Sequence, residues 1–171
     1  MDALELLKQD HQKVKELFEQ AKAMEEGKQQ KQIFRQIKKE LETHARIEET
    51  VFYPAMEKYE ELKDMVLEAI EEHKQVKTLL REMDELVSDS GKFEPKLKVL
   101  MENVEHHAEE EESEMFPNAR KAMGDEQLHE LGKQIQSRKQ ELQSGLLTRA
   151  ARTAGARIGA IVNKAARKPA A

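Results

Sequence analysis

The chain has 171 residues, 37% of them charged and 4% aromatic, with no cysteine and a formal net charge of -5. That length suits one domain with a real core and leaves room for an appendage, and a composition led by Ala, Glu, Lys, Leu and Gln is that of solvated helices, with almost no strand expected. The absence of cysteine excludes disulfides, thiolate zinc sites, iron–sulfur clusters and a thiol nucleophile, so any metal must be held by histidine and carboxylate.

Leu4, Leu7, Val14, Phe18 and Ala21 follow the 3–4 spacing of a helix stripe, with Asp2 placed as N-cap and His11 filling the gap in the stripe. A second stripe runs Ile33, Ile37, Leu41, Val51 and Ala55, and His44 and Glu48 complete its spacing. The third takes Leu62, Val66, Ala69, Val76, Leu80, Met83 and Val87, completed by His73; the fourth takes Leu97, Leu100 and Val104, then His107 and Glu111. In each helix the polar interruption sits on the buried side. Turn formers at Gly27, between Pro54 and Glu61, and from Ser88 to Pro95 leave four helices joined by short loops. The pattern predicts an all-α, antiparallel up-down-up-down four-helix bundle. Asp125 to Leu142, apolar at Leu128, Leu131, Ile135 and Leu142, reads as a shorter fifth helix packed on it. Residues 1–143 are therefore expected to form the bundle with its fifth helix, and residues 144–171 a basic tail rich in Ala, Gly and Arg.

Residues 142–171 hold six bases and no acid, which leaves residues 1–141 at -11. Leu147, Ala150, Ala154, Ile158, Ile161 and Ala165 fall on one helical face, with the bases mostly off it. Such a segment suits weak contact with an anionic membrane or partner. Gly155 and Gly159 weaken the helix, and the balance favours a half-ordered tail lying on its own acidic bundle. No specific nucleic acid is expected, and the sequence does not identify a partner protein. The N-terminal stretch lacks the apolar run of a signal peptide and no run has the length of a membrane span, so the expected compartment is the cytoplasm.

In an antiparallel hairpin, residues equidistant from the turn lie at equal height, because both helices rise by the same step per residue. His11 and His44 are equidistant from the Gly27 turn, His73 and His107 from Ser90, and His44 and His73 from the middle of the second connection. All four histidines are thus predicted to share one layer. The halves also repeat: DHQKVKELF at 10–18 matches EHKQVKTLL at 72–80 with an offset of 62, and HARIEETVFYP at 44–54 matches HAEEEESEMFP at 107–117 with an offset of 63. The repeat pairs His11 with His73, His44 with His107 and Glu48 with Glu111. A symmetric cage for two ions follows.

A carboxylate four residues after a histidine shares its helix face, yet one HxxxE in a glutamate-rich chain carries little weight. Two copies on buried seams, level with two further histidines, carry much more. The competing reading, core histidines satisfied by hydrogen bonds and glutamates paired to lysines, would bury carboxylates at several kcal/mol each with no structural cation at hand. His106 points away from His107 and belongs to the rim, while His129 lies outside the layer and reads as a surface residue. Phe52, Tyr53, Met115 and Phe116 read as core packing at the end of the HxxxE helices.

These motifs, DHxxVKxLF and HxxxEExxFYP followed by EHxxVKxLL and HxxxEExxMFP, resemble the hemerythrin-like family of HHE cation-binding domains over roughly residues 1–143. The resemblance implies a non-haem di-iron centre: two iron ions, oxo- or hydroxo-bridged. Glu48 and Glu111 would bridge them, with His11 and His44 on one iron and His73 and His107 on the other. It further implies binding of, or reaction with, oxygen, peroxide or nitric oxide, as sensor, scavenger or store. Oxygen-carrying hemerythrins have HxxxH on the third helix, whereas the residue four after His73 here is Lys77. One iron would then lack a histidine, its position open, water-filled or taken by a carboxylate such as Glu72. That favours chemistry or iron sensing over reversible carriage. The alternatives are a peroxide-decomposing or oxidase enzyme, and an interaction module in which the metal is a structural staple and the tail does the binding.

Overall fold

The computed structural model describes residues 1–24, 28–86 and 91–166, without the side chains of residue 28 and residues 145–166. The helices are α1 (Ala3–Lys22), α2 (Lys28–Ile47), α3 (Tyr53–Met56), α4 (Lys63–Glu85), α5 (Phe93–Glu110) and α6 (Phe116–Ala166). A π turn, Glu48–Phe52, joins α2 to α3, a second, Glu111–Met115, joins α5 to α6, and a 3-10 turn, Glu60–Leu62, precedes α4. No strand occurs among the described residues, and the expected helical bundle is present.

Asp2 caps α1 as its position predicts. Its carboxylate accepts from the Glu5 N–H at 2.9 Å, and the Glu5 carboxylate accepts from the Asp2 N–H at 2.9 Å, so two otherwise orphaned helix donors are satisfied reciprocally. Every apolar residue expected on the α1 stripe is buried, as are Leu62, Val66, Ala69, Val76, Leu80 and Met83 of the third stripe. Toward the α1–α2 and α4–α5 connections the core is built on Phe18, Phe34, Ile37, Leu80 and Leu100, with Phe34 edge-on to Phe93 at 5.4 Å. Gly27, Val87 and Ser88 to Ser90 lie outside the described residues.

The second stripe fails at its end. Val51 and Ala55 are only half-buried, and Phe52, Tyr53 and Met56 are buried instead. The cause is the π turn, whose closing bond runs from the Tyr53 N–H to the Glu48 carbonyl, five residues back rather than four. One extra residue per turn rotates everything beyond it by one position. Pro54 and Pro117 follow the two turns at equivalent places. A proline there offers no N–H to the carbonyl four residues back and crowds it with its ring, which opens the turn.

The fifth helix begins where its spacing predicts, because Gly124 (φ 76°, ψ 166°) interrupts the helical backbone between Phe116 and Asp125; it differs from expectation in running on past Leu142 to Ala166. Leu128, Leu131 and Ile135 are buried, as their spacing predicts. Gly132 lies against the start of the chain, where a Cβ would come within 2.9 Å of the Met1 carbonyl oxygen and 3.0 Å of the Asp2 carbonyl carbon. Arg120 reaches both the Asp2 and Asp125 carboxylates.

The chain divides into two compact units, Met1–Ile135 and Gln136–Ala171. The first contains all six candidate ligands. In the second, the backbone is helical to Ala166, and the residues of the expected amphipathic face lie outside the described side chains. Among the described residues no helix is long and apolar enough to cross a membrane.

Candidate metal centre

The four helices deliver His11, His44, His73 and His107 into one layer, and each π turn begins with a glutamate, Glu48 or Glu111, at that layer. Glu48 is 0% and Glu111 1% exposed. One set of inward atoms, from His11, His44, Glu48 and Glu111, lies within 4.8 Å of one another, and so does a second, from Glu48, His73 and His107. The Nε2 atoms of His11 and His44 face each other at 3.1 Å, as do those of His73 and His107.

The outward ring nitrogens are all held. His11 Nδ1–H donates to Glu112 at 2.8 Å and His73 Nδ1–H to Glu49 at 2.9 Å. His44 Nδ1–H faces Asp10 at 3.4 Å and His107 Nδ1–H faces Glu72 at 2.6 Å. A carboxylate on Nδ1 fixes the proton there and leaves the Nε2 lone pair pointing inward, the arrangement that orients metal-binding imidazoles. The tethers obey the internal repeat, Asp10 matching Glu72 and Glu49 matching Glu112.

The inward atoms stand close together but poorly aligned. Glu48 Oε2 is 3.1 Å from His44 Nε2 and 3.2 Å from His73 Nε2, and Glu111 Oε2 is 3.2 Å from His11 Nε2. Yet both Glu48 oxygens and Glu111 Oε2 are buried without a hydrogen bond, because the contacts do not lie along a donor direction. Buried carboxylates in that state cost several kcal/mol unless a cation joins them. Imidazole with carboxylate, and no sulfur, suits iron and its first-row neighbours. The residues present therefore fit a metal.

The local field favours positive charge. Burial alone would push His44 down, but Glu48, Asp10 and Glu111 outweigh it and raise the imidazole to about 10. His107 is likewise raised: burial opposes, while Glu72, Glu111 and Glu48 prevail. Burial alone would push Glu48 up, and His44 and His73 hold it well below the ordinary carboxylate range.

Phe116 stacks on His11 at 6.0 Å and 10°, and its repeat-mate Tyr53 lies over His73 at 5.5 Å. Tyr53 does more than pack: its hydroxyl donates to Glu111 Oε1 at 2.9 Å. Burial, with Glu48 and Glu111 beside it, holds the phenol well above its usual range, so it keeps its proton. Lys77 donates to Glu49 at 2.7 Å, continuing outward the line from His73. Glu72 accepts from His107 Nδ1 on the outer side of the ring. His106 is exposed beside Glu110, and His129 Nδ1–H bonds the Asp125 carbonyl at 2.9 Å on the surface.

The model of the hemerythrin HHE cation binding domain matches residues 2–119, which carry the whole of this layer. The chain belongs to that family. An HHE domain protein of Mycobacterium kansasii, solved by crystallography, is 27% identical, with a TM-score of 0.76 over 86% of this chain and 91% of its own. A hemerythrin-like protein of Schizosaccharomyces pombe is 32% identical over 120 residues, 69% of this chain and 59% of that protein. A DNA nickase of Nostoc sp. is 27% identical over 146 residues, 85% of this chain but 41% of its own length. The chain thus spans about half the length of the curated relatives it matches.

The HHE motifs already contained the tethers. The acid before the first histidine of each repeat (Asp10, Glu72) and the acid after each glutamate (Glu49, Glu112) recur in both halves. An acid repeated beside a ligand candidate on two helices signals an imidazole tether, but solvated glutamates are so abundant here that the signal was submerged. Tyr53 gave less notice, because its mate is Phe116 and an aromatic beside apolar residues reads as core.

Proposed function

We propose that this HHE domain holds two iron ions on His11, His44, Glu48, His73, His107 and Glu111, with Glu48 and Glu111 shared between them, and that it binds or reacts with oxygen, peroxide or nitric oxide. Its service would be that of a sensor, scavenger or store in the cytoplasm. The observation that carries the reading is the convergence of four inward Nε2 atoms and buried, hydrogen-bond-free carboxylate oxygens, with every Nδ1 fixed from behind. Iron supplies the redox chemistry when bound. The chain's part is to orient the imidazoles, to keep a proton on the Tyr53 hydroxyl against Glu111 Oε1, and to exclude water from the aromatic end with Phe52 and Phe116.

Protein purified without added metal should contain two irons per chain and absorb in the near ultraviolet, with a spectrum that changes on adding peroxide or azide. A spectrally silent protein holding only zinc overturns the proposal. Glu48→Ala and Glu111→Ala should each leave one iron or none; two irons in both variants would reject the shared-carboxylate assignment.

A further inference from the structure

A cavity of about 830 Å3 lies directly against the four imidazoles, on the side away from Tyr53 and Phe116. A water takes about 30 Å3 of liquid volume, and oxygen, peroxide or nitric oxide is of that order. The cavity is far larger than such a ligand needs and falls within the roughly 300–1,000 Å3 of sites for organic molecules. Its walls come from all four helices of the bundle: Val14, Phe18, Leu41, Val76, Leu80 and Val104.

The internal repeat explains the shape. Val14 pairs with Val76, Phe18 with Leu80 and Leu41 with Val104, so the body of the cavity is two matching halves. Short valines stand where longer side chains would close the centre. The opening breaks the match. Lys8 and Gln12 of α1 and Glu109 and Glu112 at the α5 end line the cavity, whereas their mates Ile70, Lys74, Arg46 and Glu49 do not, so the cavity extends further along the α1–α5 seam than toward α2 and α4, where Glu42 and Lys77 line it. Charges of both signs ring it, including Lys8, Lys15, Glu109 and Glu112, and Lys8 approaches Glu112 at 3.7 Å. A charged head would meet like and unlike charges in similar measure, while the walls inside are apolar.

We propose that this cavity binds a neutral organic molecule with an apolar body, lying along the α1–α5 seam and ending at the imidazole layer. Its role as a co-substrate rests on the metal reading above; its binding does not. The reaction centre would then act beside an organic partner as well as a small oxidant.

Titration calorimetry of the full chain as purified, with the linear 1-alkanols from butanol to decanol, tests this. Saturable binding of one molecule per chain is expected, tightening about fourfold per added methylene until the cavity is filled. 1-Octanol should bind at least tenfold tighter than octanoate. Val104→Phe and Val76→Phe, on different helices, should each weaken octanol binding at least tenfold, and Val99→Phe on the exposed face of α5 should not. Absence of saturable binding in the unsubstituted chain, the same affinity in both cavity variants, or octanoate binding tighter than octanol overturns the inference. Metal content measured on the same samples decides the proposed function separately: a chain that takes up no iron defeats that reading, and the titration still decides this one.

Discussion

The acids behind the imidazoles set how tightly the centre can hold a cation. Each of the four tethers fixes a tautomer and a ring direction, and removing such a partner weakens metal binding by about 10–100-fold. Glu49→Ala and Glu112→Ala are each expected to lose that much affinity in competition with a chelator, with the helical spectrum retained. An unchanged affinity would mean that packing alone orients His73 and His11. Proton competition belongs to the same scale. With His44 raised to about 10, its ring in the metal-free chain carries a proton at neutral pH that a metal must displace. Lower pH therefore weakens binding and higher pH strengthens it, approaching about tenfold per pH unit for one displaced proton. Metal affinity followed from pH 6 to 8 should rise; a flat profile would show the ring neutral before metal binds. The six inward residues were legible in the sequence, because each interrupts an apolar stripe at a height that the loop positions fix. The Tyr53 hydroxyl was not, because hydrophobic pattern reports burial and is silent about where a phenol's one polar atom ends up.

Regular helix period explains what could be read at the scale of elements and where reading stopped. The apolar stripe of α1 holds throughout, and that of α4 holds as far as it is described. The α2 stripe holds from Ile37 to Glu48 and is lost at Val51, where a π turn replaces the period on which the reading depended. The turn has a purpose in the geometry: it brings Glu48 and Tyr53, five residues apart, to the same side, which an α-helix cannot do. The α6 helix depends on a different local feature. Gly132 passes the backbone of Met1–Ala3 where a Cβ would meet atoms at 2.9–3.1 Å, and backbone cannot swing aside as a long side chain can. Gly132→Ala should cost about 1–3 kcal/mol in denaturant unfolding. No loss would show that the first residues are free to lift away from α6.

At the scale of the molecule, ligand candidates drawn from α1, α2, α4 and α5 would tie together segments far apart in sequence, so metal binding energy would become folding energy. Stripping metal with a chelator should lower the thermal midpoint by roughly 10 °C or more, on the basis that about 1 kcal/mol moves the midpoint by 2–4 °C at this chain length. An unmoved midpoint would mean that the apolar layers hold the bundle unaided. All six ligand candidates and their tethers lie within Met1–Ile135. A chain ending at residue 143 should therefore take up the same metal per chain as the full-length protein; reduced uptake would assign the tail a part in the centre. The bundle was legible because composition, stripes and loop spacing agreed with one another. The length of α6 was not, since Gly155 and Gly159 argue locally against a helix that the backbone nevertheless forms.

Tyr53 and Phe116 occupy the same place in two copies of one motif, and a single oxygen atom separates them. That oxygen gives Glu111 a permanent donor and leaves Glu48 with none. The duplicated scaffold is symmetric in shape but not in chemistry. A first cation and a second would meet different surroundings, so the layer has a left and a right, and loading a two-metal centre there would have an order.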